Sequence, residues 1–397
     1  MRITHVAWTA ALALLLARPA EAQTVKLGVL TDLSGPYSDV AGKGIVEATR
    51  MAVEDLQELL AGRKVEIVAA DHQNLPDVGV SIARQWLDQG AVTAIVHVPN
   101  SAIALAVQGI TRERKRVFLM TGGTSSDLTG KSCSPFSVHW TDDTYTLSAG
   151  TASVMLDRGG DTWFFIAADY AFGRSLVEGA TKKILESGGK VLGTVRAPLG
   201  TSDFSSFLLA AQASGAKVIA LAEAGDDTTN ALKQAHEFGI GRAQSLIGMA
   251  MNMGEVEAIG LEAAQGLYVV ASYYWDRTDA TREWSKRFLS RTGNMPSKEH
   301  AGTYSAVQHY LRAVAAEDTV DADRVMARMK ATPVNDFFGA GGRVRADGRL
   351  IDPVFVWRVK SPAVSRYRFD DYEQVGQLSE AEAFRPLAEG GCPFVRP

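Results

Sequence analysis

Small polar residues that could bind an anion follow two apolar runs in the first third of the chain. Pro99, Asn100 and Ser101 follow the run 92–98, and a Thr-Gly-Gly-Thr sequence follows the run 116–120. Such groups either cap the next helix or donate hydrogen bonds to a carboxylate. The carboxyl ends of parallel strands meet at one edge of a sheet, so both loops are expected to lie together. This pattern predicts a small-ligand site that includes Asn100, Ser101, Gly122, Gly123 and Thr124.

Aromatic residues stand in several other candidate loops. Tyr37 follows the first apolar run of the chain, and Tyr170 and Phe172 follow the run 162–167. Trp140 lies in a stretch that joins the two halves of the chain. Core packing explains a ring in a loop less readily than a ring on the apolar face of a helix. We therefore expect these four rings to contact a ligand.

Acidic residues follow another apolar run, 217–222. Glu223 and Asp226 either pair with a cationic ligand or cap the helix that starts near Thr228. Capping is the favoured interpretation, because acidic side chains stabilise the first turn of a helix. Glu223 is kept among the candidate ligand-binding residues.

The sequence carries no constellation that would support catalysis. It has neither Gly-x-Ser-x-Gly nor His-Glu-x-x-His, and its seven histidines lack the spacing of metal ligands. Thr129–Ser132 resembles the end of a P-loop, but Ser125 stands where that loop needs a glycine. We expect a protein that is not an enzyme and that uses no cofactor and no metal.

Composition and charge exclude a further class of protein. The 397 residues carry 41 Lys and Arg against 45 Asp and Glu, a formal net charge of −4. A nucleic-acid-binding protein would show a basic stripe, so no nucleic-acid partner is expected. Cys133 and Cys392 are the two cysteines, and neither stands in a Cys-x-x-Cys motif. An isolated pair in an oxidising compartment is more often bridged than free, so we expect a disulfide, with two buried thiols as the alternative.

The first 22 residues have the features of a secretory signal peptide. Arg2 gives a basic start, the run 10–17 is apolar, and Ala20-Glu21-Ala22 is a small-x-small cleavage site. The apolar run is shorter than the ~20 residues of a transmembrane helix, and no later run reaches that length. The expectation is an exported soluble chain that begins near Gln23, with an uncleaved anchor or a lipoprotein signal as the alternative.

The elements that must position these residues alternate between strands and helices. Amphipathic helices separate short runs rich in Val, Ile and Leu, of which the first are 25–30, 65–70, 92–98 and 116–120. The alternation restarts after Asp143 and ends in a strand at 354–360. This order predicts two parallel sheets covered by helices, and hence two lobes with a cleft. The Gly-rich segment 337–349 predicts a crossing loop or hairpin, and the tail from Ser361 is expected on the surface.

These residues carry a family resemblance. The chain resembles the periplasmic solute-binding proteins of the branched-chain amino-acid (Leu/Ile/Val-binding) type, which serve ABC transporters. The likeness extends from Val25 to about Lys360. It rests on the order and spacing of several segments: Lys26–Tyr37, Gly44–Asp55, Asp71, Thr121–Thr129, Ala168–Gly173 and Thr201–Phe204.

The resemblance implies a type I periplasmic binding fold, an α/β architecture of two doubly wound Rossmann-like lobes joined by three crossovers. It places lobe 1 at 23–141 plus 272–342, and lobe 2 at 142–271 plus 343–397. It also implies that hydroxyls and amides of the two loops around Asn100 and Thr124 clamp the carboxylate of a ligand that the closing lobes bury. The implied location is the periplasm, the implied partner is an inner-membrane ABC permease, and a monomer is expected. A ligand-sensing module of the same fold, for a receptor or a two-component system, is the alternative.

One part of the pattern departs from the amino-acid binders that the chain resembles. Those proteins hold the α-ammonium with a Tyr and a Glu of the second lobe, and the corresponding positions here are Ala224 or Gly225, and Ala250. A buried ammonium without partners is costly. The expected ligand is therefore an aromatic or apolar acid. A branched-chain amino-acid-like ligand stays open, with Glu223 or Asp226 as the compensating carboxylate.

Overall fold

The computed structural model describes residues 23–60, 62–241 and 243–395. The predicted signal peptide lies outside the described residues. Within those ranges, no helix is long and apolar enough to cross a membrane.

The first sheet contains five parallel strands in the order β2-β1-β3-β4-β5. Their bounds are β1 Val25–Thr31, β2 Val65–Asp71, β3 Ala94–His97, β4 Val117–Met120 and β5 Ser137–His139. Three helices connect the first four strands: α1 Gly42–Glu54, α2 Pro76–Asp88 and α3 Ser101–Glu113. The strands β3 and β4 are buried along their whole length, as expected for strands covered by helices on both faces.

The second sheet contains four parallel strands in the order β7-β6-β8-β9. Helix α4, Thr144–Leu156, leads into it. Its strands are β6 Thr162–Ala168, β7 Lys190–Ala197, β8 Val218–Ala222 and β9 Ser245–Gly248. The accompanying helices are α5 Ala171–Glu186, α6 Ser205–Ala213, α7 Asp226–Glu237, α8 Met253–Ile259 and α9 Leu261–Ala264. The two parallel sheets confirm the predicted pair of Rossmann-like lobes.

The chain then returns to the first sheet through β10 Tyr268–Ala271 and the helices α10 Asp279–Thr292, α11 Lys298–Glu317 and α12 Ala322–Ala331. Helix α11 packs along α1, where a Cβ on Gly44 would lie 2.3 Å from the ring of His300. Lobe 1 therefore comprises the first sheet with α1–α3 and α10–α12, and lobe 2 the second sheet with α4–α9. The short strands β11 Arg343–Val344 and β12 Leu350–Ile351 form a hairpin that begins within the Gly-rich segment 337–349 and ends two residues beyond it.

The prediction that the tail from Ser361 lies on the surface is correct for residues 362–368, most of which are exposed, and wrong for the buried residues that follow, such as Asp371 and Tyr372. Strand β14, Tyr372–Leu378, pairs antiparallel with β13, Val354–Val359, which in turn pairs with β10. The short helix α13, Glu380–Ala383, follows, and Ala383 is fully buried. Residues 372–378 of the tail pack against the rest of the protein because they supply the edge of β13 with a hydrogen-bonded neighbour. A strand so rich in Glu and Gln gives little apolar signal in the sequence.

Candidate ligand-binding cleft

A narrow cleft with a cavity volume of about 40 Å³ lies between the carboxyl ends of the two parallel sheets. Lobe 1 contributes Tyr37, Val40, Ala41, Pro99, Gly122 and Thr124 to its lining. Lobe 2 contributes Leu147, Tyr170, Phe172, Ala224, Ala250 and Asn252. Lys298 and Glu299, at the start of α11, complete the wall. Most of this lining is apolar, which is typical of a site for a small organic ligand.

Two tyrosines join the lobes across the cleft. The hydroxyl oxygens of Tyr37 and Tyr170 lie 2.5 Å apart, so one phenol donates a hydrogen bond to the other. The loop that carries Tyr37 is fixed by Asp32, whose carboxylate accepts hydrogen bonds from the backbone N–H groups of Gly35 and Tyr37 at 2.7 and 2.9 Å. Burial, followed by the mutual influence of the two rings, raises the pKa of Tyr37 well above its usual range. Both phenols therefore stay protonated.

A second contact between the lobes depends on a glycine. Gly225 has φ +62°, and a Cβ there would lie 2.4 Å from the carbonyl oxygen of Pro36. The next residue, Asp226, donates its backbone N–H to the same carbonyl at 3.4 Å. Only a residue without a side chain allows this approach in this conformation.

Some of the residues predicted to bind a carboxylate line the cleft, and the others support the loops around it. Gly122 and Thr124 line the cleft. Asn100 instead caps α3, since its Oδ1 accepts hydrogen bonds from the N–H groups of Ala102 and Ile103 at 2.9 and 3.2 Å. Asn100 is therefore occupied by the helix that it starts.

The loop after β4 is held by a similar supporting contact. The Oγ of Ser101 accepts hydrogen bonds from the N–H groups of Thr124 and Ser125, both at 3.2 Å. Gly123 packs against Ala104, where a Cβ would approach to 2.5 Å. Ser101 and Gly123 thus shape the loop and are not among the cleft-lining residues.

Trp140 does not line the cleft. Its indole is fully buried, donates a hydrogen bond from Nε1 to the Oγ of Ser305 at 2.9 Å, and lies 5.2 Å from the ring of His309. Both partners are on α11. Trp140 therefore fills the interior of lobe 1, because the stretch after β5 turns this side chain towards α11.

Tyr170 and Phe172 line the cleft, but not from a loop. Helix α5 begins at Ala171, so Tyr170 precedes the helix and Phe172 lies in its first turn. Their ring centroids are 5.8 Å apart. The two rings form an aromatic wall on the side of lobe 2.

Glu223 lies behind the cleft and is not among its lining residues. Its side chain is fully buried, and neither carboxyl oxygen has a hydrogen-bond partner among the described residues. Burial, assisted by the nearby charge of Asp227, raises the pKa of Glu223 to about 9. The carboxyl is therefore neutral at pH 7.

Lys298 and Glu299 are cleft residues that the sequence did not indicate. In the sequence, Ser297-Lys-Glu-His300 has the composition of an ordinary helix start, and Ser297 and His300 do form a capping box. Yet Lys298 and Glu299 are buried, with exposed fractions of 4% and 8%. Burial raises the pKa of Glu299, while the charge of Lys298 opposes that shift. The one feature of the sequence that could have indicated them as cleft residues is that their segment returns to the first lobe.

Two α/β lobes on either side of a small apolar cleft define a binding protein of the two-lobed type. The family model described as "Periplasmic binding protein" matches residues 24–363, and the chain belongs to that family.

Similar proteins of known structure support this assignment. The chain is 42% identical to a periplasmic binding protein from Burkholderia mallei, with a TM-score of 0.92 over 94% of this chain and 99% of that one. It is 36% identical to a branched-chain amino acid ABC transporter periplasmic ligand-binding protein from Burkholderia xenovorans LB400, with a TM-score of 0.83 over 94% and 100% of the two chains. These likenesses confirm the predicted fold class and the resemblance drawn from the sequence.

A curated relative gives the same result at greater distance. A Leu/Ile/Val-binding protein homolog 6 from Brucella melitensis is 26% identical over 228 residues, or 57% of this chain. The match spans 58% of the length of that relative.

Proposed function

We propose that this chain is the substrate-binding component of an ABC importer and that it captures a small carboxylate-bearing solute between two closing lobes. The observation that carries the proposal is the hydrogen bond between Tyr37 of lobe 1 and Tyr170 of lobe 2, directly beside an apolar cleft that both lobes line. Such a contact exists only when the lobes are closed. A ligand that touches both lobes stabilises that form and shifts the population towards it.

The rest of the proposal follows from the family. The chain is exported to the periplasm after cleavage near Ala22 and presents its closed form to an inner-membrane permease. The lobes divide at 141/142, 271/272 and 342/343, so that three crossovers form the hinge. The protein acts as a monomer and by capture, without catalysis.

The proposed ligand class is an aromatic or apolar acid. Ala224 and Ala250, which stand where amino-acid binders carry the ammonium partners, both line the cleft and offer it no polar side chain. Tyr170 and Phe172 supply ring surface on the same side. An unpaired ammonium in such a wall would cost several kcal/mol, whereas an apolar or aromatic group is favoured there.

A branched-chain amino-acid-like ligand is the second candidate, and Glu299 is the observation in its favour. This side chain lines the cleft, and its Oε2 has no hydrogen-bond partner among the residues described. It could receive an α-ammonium in place of the absent lobe 2 glutamate. Glu223 cannot do so directly, because it lies behind the lining.

Calorimetry separates these two ligand classes. Purified, ligand-free protein is titrated with benzoate, 3-phenylpropanoate, leucine, isoleucine and valine. The proposal expects a benzoate-type or phenylpropanoid-type acid to bind at least ~100-fold more tightly than leucine, the factor that a few kcal/mol of unpaired charge would give. Micromolar binding of an aliphatic amino acid, without response to either simple acid, would assign the cleft to the second class.

The role of the inter-lobe tyrosines is tested with the ligand found in this way. Tyr37→Phe and Tyr170→Phe should each weaken binding up to ~10-fold, because a hydrogen bond present only in the closed form contributes about 0.5–1.5 kcal/mol. The double variant should be no weaker than either single one, since both lose the same bond. Additive losses would mean that the two hydroxyls act on the ligand separately.

A further inference from the structure

Lys298 carries a buried charge that the surrounding protein does not satisfy. Its side chain is 3% exposed, and no hydrogen-bond acceptor for its Nζ is present in the part of the chain that the structure describes. The nearest opposite charge is the Oδ2 of Asp142 at 3.5 Å, which is beyond the length of an ordinary N–H···O bond. An ammonium in this position retains donors that are stabilised only by a further acceptor.

Asp142 is engaged elsewhere. The same Oδ2 accepts a hydrogen bond from the backbone N–H of Ser272 at 3.2 Å, which ties the connection before α4 to the end of β10. The carboxylate of Asp142 is therefore oriented by the hinge rather than by Lys298. It compensates part of the lysine charge, while Nζ has no hydrogen-bond partner among the described residues and Lys298 is one of the residues that line the cleft.

The donors first expected to clamp a ligand carboxylate are mostly occupied. Asn100 caps α3, and the N–H groups of Thr124 and Ser125 are bonded to Ser101. The side chain of Thr124 remains at the cleft, and Lys298 is the buried cation of the lining. An anionic group entering this cleft thus meets a hydroxyl and an ammonium that forms an ion pair with Asp142 but makes no hydrogen bond within the described residues.

We propose that Lys298 is the specificity-determining residue for the anionic group of the ligand, whose oxygens accept hydrogen bonds from its Nζ. This inference rests on the proposed capture function and deepens it. The cleft selects a carboxylate over its neutral carboxamide, because only the anion compensates the buried ammonium. Burial raises the pKa of the neighbouring Glu299, although the charge of Lys298 opposes that shift.

Matched pairs of charged and neutral ligands test the proposal. Benzoate and benzamide, and leucine and leucinamide, are titrated by calorimetry into the wild-type protein and the Lys298→Met variant. In whichever pair it binds, the wild-type protein should bind the carboxylate more tightly than the carboxamide. In Lys298→Met the carboxylate should bind ~10- to 100-fold more weakly, as expected for loss of a hydrogen bond to a charged group. The affinity for the carboxamide should change little, so the ratio of the carboxylate affinity to the carboxamide affinity falls by the same factor.

Three further variants separate recognition from folding. Lys298→Met leaves Asp142 without a counter-charge, so the Lys298→Met/Asp142→Asn double variant is measured beside it, with circular dichroism and melting temperature for both. Lys298→Arg keeps the charge and should retain most of the preference. Lys233→Met, on the exposed face of α7, is the matched control and should behave as the wild type.

The outcomes are distinguishable. A folded Lys298→Met or double variant that keeps the full wild-type preference for carboxylate over carboxamide would overturn the assignment of Lys298, while leaving the capture function intact. Equal losses for both members of a pair would overturn it too, because they indicate a structural role only. A wild type that binds neither pair would instead count against the proposed function itself.

Discussion

At the scale of single residues, the cleft is surrounded by carboxyl groups that the fold has removed from water. Burial raises the pKa of Glu223 to about 9, that of Glu255 to about 7 and that of Asp227 to about 6. Glu255 accepts hydrogen bonds from the backbone N–H groups of Gly225 and Asn252, whereas Glu223 has no partner among the described residues. Each of these groups binds a proton more tightly in the folded protein than in the unfolded chain.

Glu223 should therefore make the protein less stable as the pH rises. Below about pH 4.5 this carboxyl is protonated in both states; between there and about pH 9 the unfolded chain loses the proton while the folded protein keeps it. Glu223→Gln removes this difference. The free energy of unfolding of the variant minus that of the wild type should therefore be larger at pH 8 than at pH 5. The expected increase is about 1 to 4 kcal/mol, given ~1.4 kcal/mol per pH unit. Urea denaturation of both proteins at both pH values measures this increase.

The control for this measurement is Glu237→Gln, at the exposed end of α7. It removes one glutamate charge at the surface without touching the buried carboxyl. A Glu223→Gln variant whose stability difference from the wild type is the same at pH 5 and pH 8 would mean that Glu223 is ionised in the folded protein.

At the scale of elements, the loops at the strand ends are held by the helices that follow them. Asn100 satisfies two N–H groups in the first turn of α3, and Ser101, the first residue of that helix, holds the loop after β4. One helix start thus fixes two of the lobe 1 loops that line the cleft, those after β3 and β4. The position of Gly122 and Thr124 in the cleft depends on it.

Asn100→Ala should therefore act on stability more than on direct ligand contact. Loss of an N-cap side chain costs about 0.5–2 kcal/mol, because two buried N–H groups lose their acceptor. Asn100→Asp keeps an oxygen in place and should recover most of the loss. Thermal or urea unfolding gives the stabilities, and calorimetry gives the affinity. An Asn100→Ala variant of unchanged stability but strongly weakened binding would move Asn100 back into the ligand clamp.

At the scale of the whole molecule, the C-terminal tail is tied to both lobes. Cys392 forms a disulfide with Cys133, which lies between α3 and α4, and the two residues are 259 positions apart. Arg385 donates a hydrogen bond to the carbonyl oxygen of Ser126 at 2.8 Å in the same region. Further along the tail, Glu389 forms an ion pair with Lys182 on α5 of lobe 2.

The disulfide should contribute substantially to the stability of this large chain. Replacing Cys133 and Cys392 together by Ser should lower the free energy of unfolding by about 2–4 kcal/mol, because the unfolded chain loses a long-range constraint. Guanidinium denaturation with and without reductant measures the effect. The wild type should shift on reduction, and the double serine variant should not. A wild-type midpoint that is insensitive to complete reduction would contradict this expectation.

The sequence by itself determined the fold class and most of the elements. Apolar runs such as Val25–Thr31 and the stripe on α1 repeat with strand and helix periods, and these local patterns require no knowledge of distant contacts. The same reasoning placed Tyr37, Gly122, Thr124, Tyr170 and Phe172 at strand ends, where the cleft lies. Loop position follows from topology, which alternation of elements specifies.

Only the tertiary structure decided which side chains face the cleft. Asn100 and Ser101 could equally cap a helix or bind a ligand, and the choice depends on which N–H groups surround them once the chain is folded. Trp140 turns towards α11, although its position in the sequence predicted a ligand contact, and Lys298 lines the cleft without having been indicated by the sequence. Strand β14 forms because β13 offers it an edge. Each outcome depends on contacts between segments far apart in the chain, and local periodicity carries no information about such contacts.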